Sequence, residues 1–173
     1  APNGRYIRLT VRALGDNTTA LQRIRVGTRV WAEGPYGVFT ETVRTSPKVV
    51  LMAAGIGAAP IRALLEDIPA HRGDVTVILR ASDAEPYLVT EITDLCRARG
   101  ARLVTLSGRR ANTASWLPHE EWANGENITH YVHKPRECDY YICGPSEWMA
   151  NVRADLAAHK VPAHAVHWEE FAW

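Results

Sequence analysis

Long hydrophobic runs, paired cysteines and dense basic tracts are all missing from this chain of 173 residues, and each absence excludes something. No apolar run approaches the roughly 18 to 20 residues that cross a bilayer. The first residues, APNGRYIRL, lack the basic, apolar and small-residue zones of a signal peptide, so a cytoplasmic protein is expected, or one at the cytoplasmic face of a membrane. Three cysteines, Cys96, Cys138 and Cys143, are odd in number and form no Cys-x-x-Cys, which argues against a disulfide framework and against a zinc cluster. His130 and His133 have no second ligand pair nearby, and His159, His164 and His167 straddle a helix end and a strand, so no metal site is expected. Aromatic residues are not interleaved with a basic run, and nucleic acid is excluded as a partner on that ground.

What is present is an ordinary globular composition, 46% hydrophobic and 23% charged. The net charge of +1 hides an asymmetry: residues 1–45 carry seven arginines against three acids, and the remainder is acidic. With arginine far in excess of lysine, the positive charge arrives as planar forks suited to phosphate and carboxylate.

Two hydropathy patterns divide the chain. Residues 6–12, YIRLTVR, alternate apolar and polar side chains, and TRVWAE (28–33) and VFTETV (38–43) extend the reading to an antiparallel segment over residues 1–45. After the turn-forming triplet Thr45-Ser46-Pro47, unbroken apolar runs alternate with helix-length segments: VVLMAA, VTVILRA, RLVTLSG and YYICGP, then a final HAVHWEEFAW. Continuous Val/Ile/Leu strands separated by helices imply a parallel sheet covered on both faces. The expectation is a doubly wound α/β domain over residues 46–173.

The stretch MAAGIGAAPIRALLED, residues 52–67, places small residues where the first of these strands hands over to a helix. Gly55, Ile56 and Gly57 would make the turn, with Pro60 as the first helical residue, where a missing N–H costs nothing. The helix start would then offer bare amides to a pyrophosphate, though a tight turn without any ligand reads the same way. On the binding reading, Gly57→Val would intrude on the pyrophosphate and weaken dinucleotide binding tenfold or more, about 1.4 kcal/mol. G-x-G-x-x-P replaces the third glycine of the dinucleotide fingerprint, and no acid ends the second strand. Arg80 and Ser82 stand there instead, and Ser107 and Arg109 follow the third strand. Ser and Arg at strand ends suit a 2′-phosphate, favouring NADPH over NADH, although solvated loop arginines are the plainer reading.

Four ordered motifs, Gly34-Pro35-Tyr36-Gly37, the Gly55–Pro60 loop, Cys143-Gly144-Pro145 and His167-x-Glu169-x-Phe171-x-Trp173, resemble the ferredoxin-NADP reductase superfamily. Within it the chain is similar to the reductase modules of bacterial ferric-reductase-like and NADPH-oxidase-like proteins. The resemblance implies an FAD-binding antiparallel barrel followed by an NAD(P)-binding α/β domain, passing hydride from nicotinamide to flavin. It places Gly55, Ile56, Gly57 and Pro60 on the pyrophosphate and Cys143 against the nicotinamide, unless that thiol merely packs, with Gly144 and Pro145 shaping its loop. Glu169 would stand near the transfer site, and Phe171, or else Trp173, would cover the flavin. Gly15 and Thr18 would meet the FAD pyrophosphate, with Thr18 as a helix N-cap. The family's Arg-x-Tyr-Ser/Thr motif is absent from residues 1–45, so a piece of a longer flavoprotein is expected, its other parts an upstream barrel and a membrane haem domain. The alternative is an inert nucleotide-binding or docking module. A hydroxy-acid or alcohol dehydrogenase is disfavoured because no Tyr-x-x-x-Lys pair exists.

Overall fold

The computed structural model of the protein describes residues 6–34, 37–82, 85–110 and 114–170. It separates into two compact units, residues 2–38 and residues 39–173.

In the larger unit five strands, β1 (Lys48–Ala54), β2 (Val75–Ala81), β3 (Arg102–Ser107), β4 (Cys138–Cys143) and β5 (Val166–Glu169), form one sheet in the order β3-β2-β1-β4-β5. Every pairing is parallel. Helices α2 (Ala58–Asp67), α3 (Val89–Arg99) and α6 (Ser146–Ala158) supply the crossovers, and two short helices, α4 (His119–Ala123) and α5 (Ile128–Tyr131), interrupt the path from β3 to β4.

The three central strands, β1, β2 and β4, read as unbroken apolar runs because both sheet faces are buried there, while the edge strands β3 and β5 are mostly half-buried or exposed. Val49, Leu51 and Ala53 of β1 pack with Tyr141 and Cys143 of β4 under α2 and α3, while Val50, Met52 and Ala54 pack with Tyr140 and Ile142 against α6 and residues 116–132. Side chains alternate strictly between two layers, which is the period-2 consequence of a strand. The chain leaves β1 in one direction through β2 and β3 and in the other through β4 and β5, so a topological switch point opens between β1 and β4.

The linker expected at Thr45-Ser46-Pro47 is held by a single acid. Asp139 is wholly buried; it accepts hydrogen bonds from the Thr45 and Ser46 amides, the latter at 2.9 Å, and from the Thr45 hydroxyl at 2.9 Å.

The smaller unit differs from the sequence expectation. None of the three antiparallel strands forms among its described residues or at 39–43, where Glu41–Val43 is a 3-10 turn. A ladder requires a neighbouring chain about 4.8 Å away, and Ile7, Leu9 and Val11, the apolar side of the expected first strand, are 75%, 76% and 50% exposed, with no layer laid on them. The one α-helix among its described residues is the five-residue α1 (Asp16–Ala20). Among the described residues no helix is long and apolar enough to cross a membrane.

Candidate functional site

β1 stops at Ala54 and the chain turns through a 3-10 segment, Gly55–Gly57, directly into α2. Gly55 holds φ +57°, a left-handed conformation that costs an L side chain about 1 to 2 kcal/mol, and a Cβ built there meets nothing within 4 Å. Open space therefore lies over the end of β1. Gly57 is bare for a different reason. A Cβ there would run into the Cys143 carbonyl and come within 2.9 Å of the Gly144 nitrogen. The glycine lets the α2 start close against the end of β4, and the expectation that a larger residue at 57 would collide with a pyrophosphate is corrected: it would collide with the protein's own backbone. Gly144 is sandwiched in turn, its Cβ position lying 2.9 Å from the Trp148 ring and 3.0 Å from Ala54.

Helix α2 begins at Ala58, so Pro60 is its third residue and not its first. The sequence logic survives, because none of the first four N–H groups of a helix has an intrahelical partner. Its N-cap is glycine, with no side-chain cap and no acid in the first turn. The Ala58 amide already donates to the Gly55 and Ile56 carbonyls of the 3-10 turn and Pro60 has no N–H, so the helix start offers the switch point its partial positive charge, with no carboxylate of its own, more than a row of bare donors. Ile56 and Pro60 are both half-buried at this rim.

Beside it, at the carboxyl ends of β2 and β3, lies a cleft of about 600 Å³ lined by Ser82, Glu85, Pro86, Val89, Thr105, Ser107 and Gly108. Ala81 and Ser107 are register partners, which is why Ser82 and Ser107, two residues singled out in the sequence, reach one cavity. Arg80 does not join them. It is 4% exposed, and its guanidinium donates to the Ala81 carbonyl and, at 2.6 Å, to the Gly108 carbonyl, tying the end of β2 to the loop after β3. The arginine holds the cavity wall in place where a direct phosphate contact was expected. Arg109 is exposed, outside the cleft lining, and its carbonyl accepts from the His119 amide at 2.9 Å. Arg110 pairs with Glu147 of α6 at 2.9 Å, linking the β3 loop to the helix that follows β4.

On the other side of the switch point, Cys143 ends β4. It is fully buried, its thiol part of the core layer under α2, and burial, with Glu169 adding to it, pushes the thiol up to about 12. The expected contact between this sulfur and a nicotinamide therefore needs the core to open; what the strand end presents toward the crevice is the Cys143–Gly144 backbone beside Gly57. Glu169, half-buried, is the register partner of Cys143 on β5. Pro145 caps α6 in an extended conformation, and Ser146 donates to the Glu170 carboxylate. Phe171 and Trp173 lie outside the described residues.

In the smaller unit, the N-cap of α1 is Gly15, and Thr18 is its third residue, not the cap. The Thr18 hydroxyl accepts from the Leu14 and Gly15 amides at 2.9 and 3.0 Å and donates to the Gly15 carbonyl at 3.0 Å. Its proton is committed to its own turn, so it does not donate to a flavin phosphate in this conformation. Two polar cleft residues escaped the sequence reading. Glu85 falls just beyond the end of β2 rather than on it, and Thr105 sits inside a strand read only as core. The signal for Glu85 was an acid within one turn of a strand end in a nucleotide-type fold.

No family model matches the chain. It is 28% identical over 184 residues to a flavohemoprotein of Vibrio cholerae serotype O1, covering 99% of this chain and 44% of that protein. It is 30% identical over 170 residues to the ferredoxin reductase component of 3-ketosteroid-9-alpha-monooxygenase of Mycobacterium tuberculosis, covering 95% and 45% respectively. The chain thus spans about half the length of the curated relatives it matches. Among solved structures, the flavohemoglobin of Malassezia yamatoensis superposes with a TM-score of 0.66 at 23% identity, over 95% of this chain and 43% of that one. The switch-point geometry and these likenesses agree: the chain has the ferredoxin-NADP reductase-like nucleotide-binding fold.

Proposed function

We propose that the chain is the pyridine-nucleotide-binding part of an NAD(P)H-dependent flavoprotein oxidoreductase that passes electrons through FAD to an iron-centred, one-electron acceptor. The observation that carries this reading is the open space over Gly55 beside an uncapped helix start, with a roomy cleft on the neighbouring strand ends. These fit an extended dinucleotide: its pyrophosphate on the Gly55-Ile56-Gly57 turn and against the positive end of α2 up to Pro60, its adenosine half in the cleft with Ser82 and Ser107. Its nicotinamide half would lie toward Cys143, Gly144 and Pro145, with Glu169 on the adjoining strand. When bound, the nicotinamide and flavin rings supply the hydride-transfer chemistry, so the protein needs no strong acid or base of its own. The residues here bind, orient and exclude water, and orientation alone accounts for a large part of such catalysis.

The acceptor class rests on the relatives, one a flavohemoprotein and another a ferredoxin reductase component. A ferric-reductase-like or NADPH-oxidase-like protein, in which the acceptor is ferric iron or a membrane haem, is the narrower form suggested by the sequence motifs. FAD also rests on the relatives and the resemblance. The NADPH expected from Arg80, Ser82, Ser107 and Arg109 has lost one anchor, since Arg80 turns its fork to backbone carbonyls.

Titration of the chain with NADH and with NADPH, read by quenching of tryptophan fluorescence, tests the binding site. Saturable binding of at least one supports it, and binding of neither by folded protein overturns it. Supplying FAD and ferricyanide and following loss of reduced nicotinamide then separates a reductase from an inert binding module.

A further inference from the structure

Among the described residues the cleft beyond β2 and β3 carries one formal charge on its lining, and that charge is negative. Its polar side chains are Ser82, Glu85, Thr105 and Ser107, and no Arg or Lys lines it among the described residues. The three arginines of this edge stand elsewhere: Arg80 is directed at two backbone carbonyls, Arg110 is paired with Glu147, and Arg109 lies outside the lining. A ribose with both hydroxyls free offers O–H donors to a carboxylate, and such charge-assisted bonds are about twice as strong as neutral ones. A phosphate on the 2′-oxygen removes that donor. It brings a charge of about −1.5 to −2 at neutral pH, by analogy with other phosphomonoesters, and only acceptor oxygens. Serine and threonine hydroxyls can donate to either group and do not discriminate; Glu85 does.

We propose that Glu85 makes this cleft a ribose-diol site, so that the hydride donor is NADH and the carboxylate rejects NADPH. This rests on the dinucleotide reading of the site and reverses the preference drawn from the arginines and serines of the sequence. It follows the general rule that an acid near the end of the second strand selects the unphosphorylated ribose. The rule is met here by a residue that leaves the strand and returns to the cavity.

The test is titration of the whole chain, wild type, Glu85→Gln and Asp94→Asn, with NADH and with NADPH. Glu85 is exposed, so its amide variant is expected to keep the fold, which circular dichroism would check. The wild type is expected to bind NADH about tenfold tighter than NADPH or more. Glu85→Gln is expected to bring the two within about threefold, loosening NADH and tightening NADPH. Asp94→Asn removes an exposed charge from α3, outside the cleft lining, and is expected to leave the ratio unchanged. NADPH bound as tightly as NADH by the wild type, an unaltered ratio in Glu85→Gln, or an equal shift in Asp94→Asn overturns the role of Glu85 while leaving the dinucleotide site standing. Binding of neither nucleotide overturns both.

Discussion

Gly55 and Gly57 stand two positions apart and lack side chains for opposite reasons. At Gly55 the space is outside the protein; at Gly57 it is filled by the end of β4. The two substitutions should therefore separate binding from folding. Gly55→Val carries the strain of a left-handed backbone, about 1 to 2 kcal/mol, and puts a branched side chain where the pyrophosphate is proposed to lie. Nucleotide affinity is expected to fall tenfold or more, and the urea midpoint only modestly. Gly57→Ala drives a methyl group into the Cys143 carbonyl, and neither backbone can yield without moving a central strand. It is expected to cost about 3 kcal/mol or more, read as a lower urea midpoint, because overpacking against backbone exceeds the usual 1 to 3 kcal/mol. A Gly57 variant of wild-type stability would contradict the packing.

At the scale of elements, β4 does two jobs through alternate residues. Tyr140 and Ile142 fill one core layer and Tyr141 and Cys143 the other, while Asp139 reaches the segment that enters the domain. Tyr141 reinforces the same join, its hydroxyl donating to the Thr40 carbonyl at 3.1 Å and its ring meeting Phe39 edge-on at 5.5 Å. Asp139→Ala would leave the amides of Thr45 and Ser46, in a partly buried contact, without their acceptor. Since hydrogen bonds to charged groups are worth about 1.5 to 3 kcal/mol each, a loss of about 3 kcal/mol is expected in denaturant unfolding. Asp139→Asn, which keeps one acceptor oxygen, should recover part of it. On the opposite face Asp155 of α6 has a similar role, accepting from Trp116 Nε1 at 2.8 Å and from the Ile128 amide at 2.9 Å, which pins the excursion between β3 and β4.

For the whole molecule, the three buried thiols set an alkaline limit. Burial pushes Cys96 and Cys138 up to about 11 and Cys143 to about 12. In the unfolded chain they ionise near the ordinary thiol value of about 8.5. Above that value the unfolded state has lost protons that the folded state still holds, so stability falls as pH rises. It should be flat with respect to these thiols below pH 8 and decline from about pH 9 to 11, by at most about 1.4 kcal/mol per thiol per pH unit. Urea midpoints across that range check the sign, and a Cys143→Ala variant should show a shallower decline. The centre of the parallel sheet was legible in the sequence because burial on both faces leaves uninterrupted apolar runs in β1, β2 and β4; the half-exposed edge strands β3 and β5 and the β1–α2 turn also lie within the segments read for them. Individual side chains were less legible. Arg80 looked like a phosphate ligand, Cys143 like a nicotinamide contact and Thr18 like a cap; in the structure Arg80 donates to backbone carbonyls, the Cys143 thiol is buried, and the Thr18 hydroxyl bonds within its own turn. Glu85, not singled out in the sequence, lines the cleft. Beyond residue 47 periodicity by itself determined which segments are strands and helices, since it records which faces are dry; at 6–12, 28–33 and 38–43 the same kind of pattern formed no ladder. Only the tertiary structure decided where each polar group is directed and which glycine faces solvent or backbone, because those depend on the strand lying alongside, and strand order is not written into the spacing along one chain.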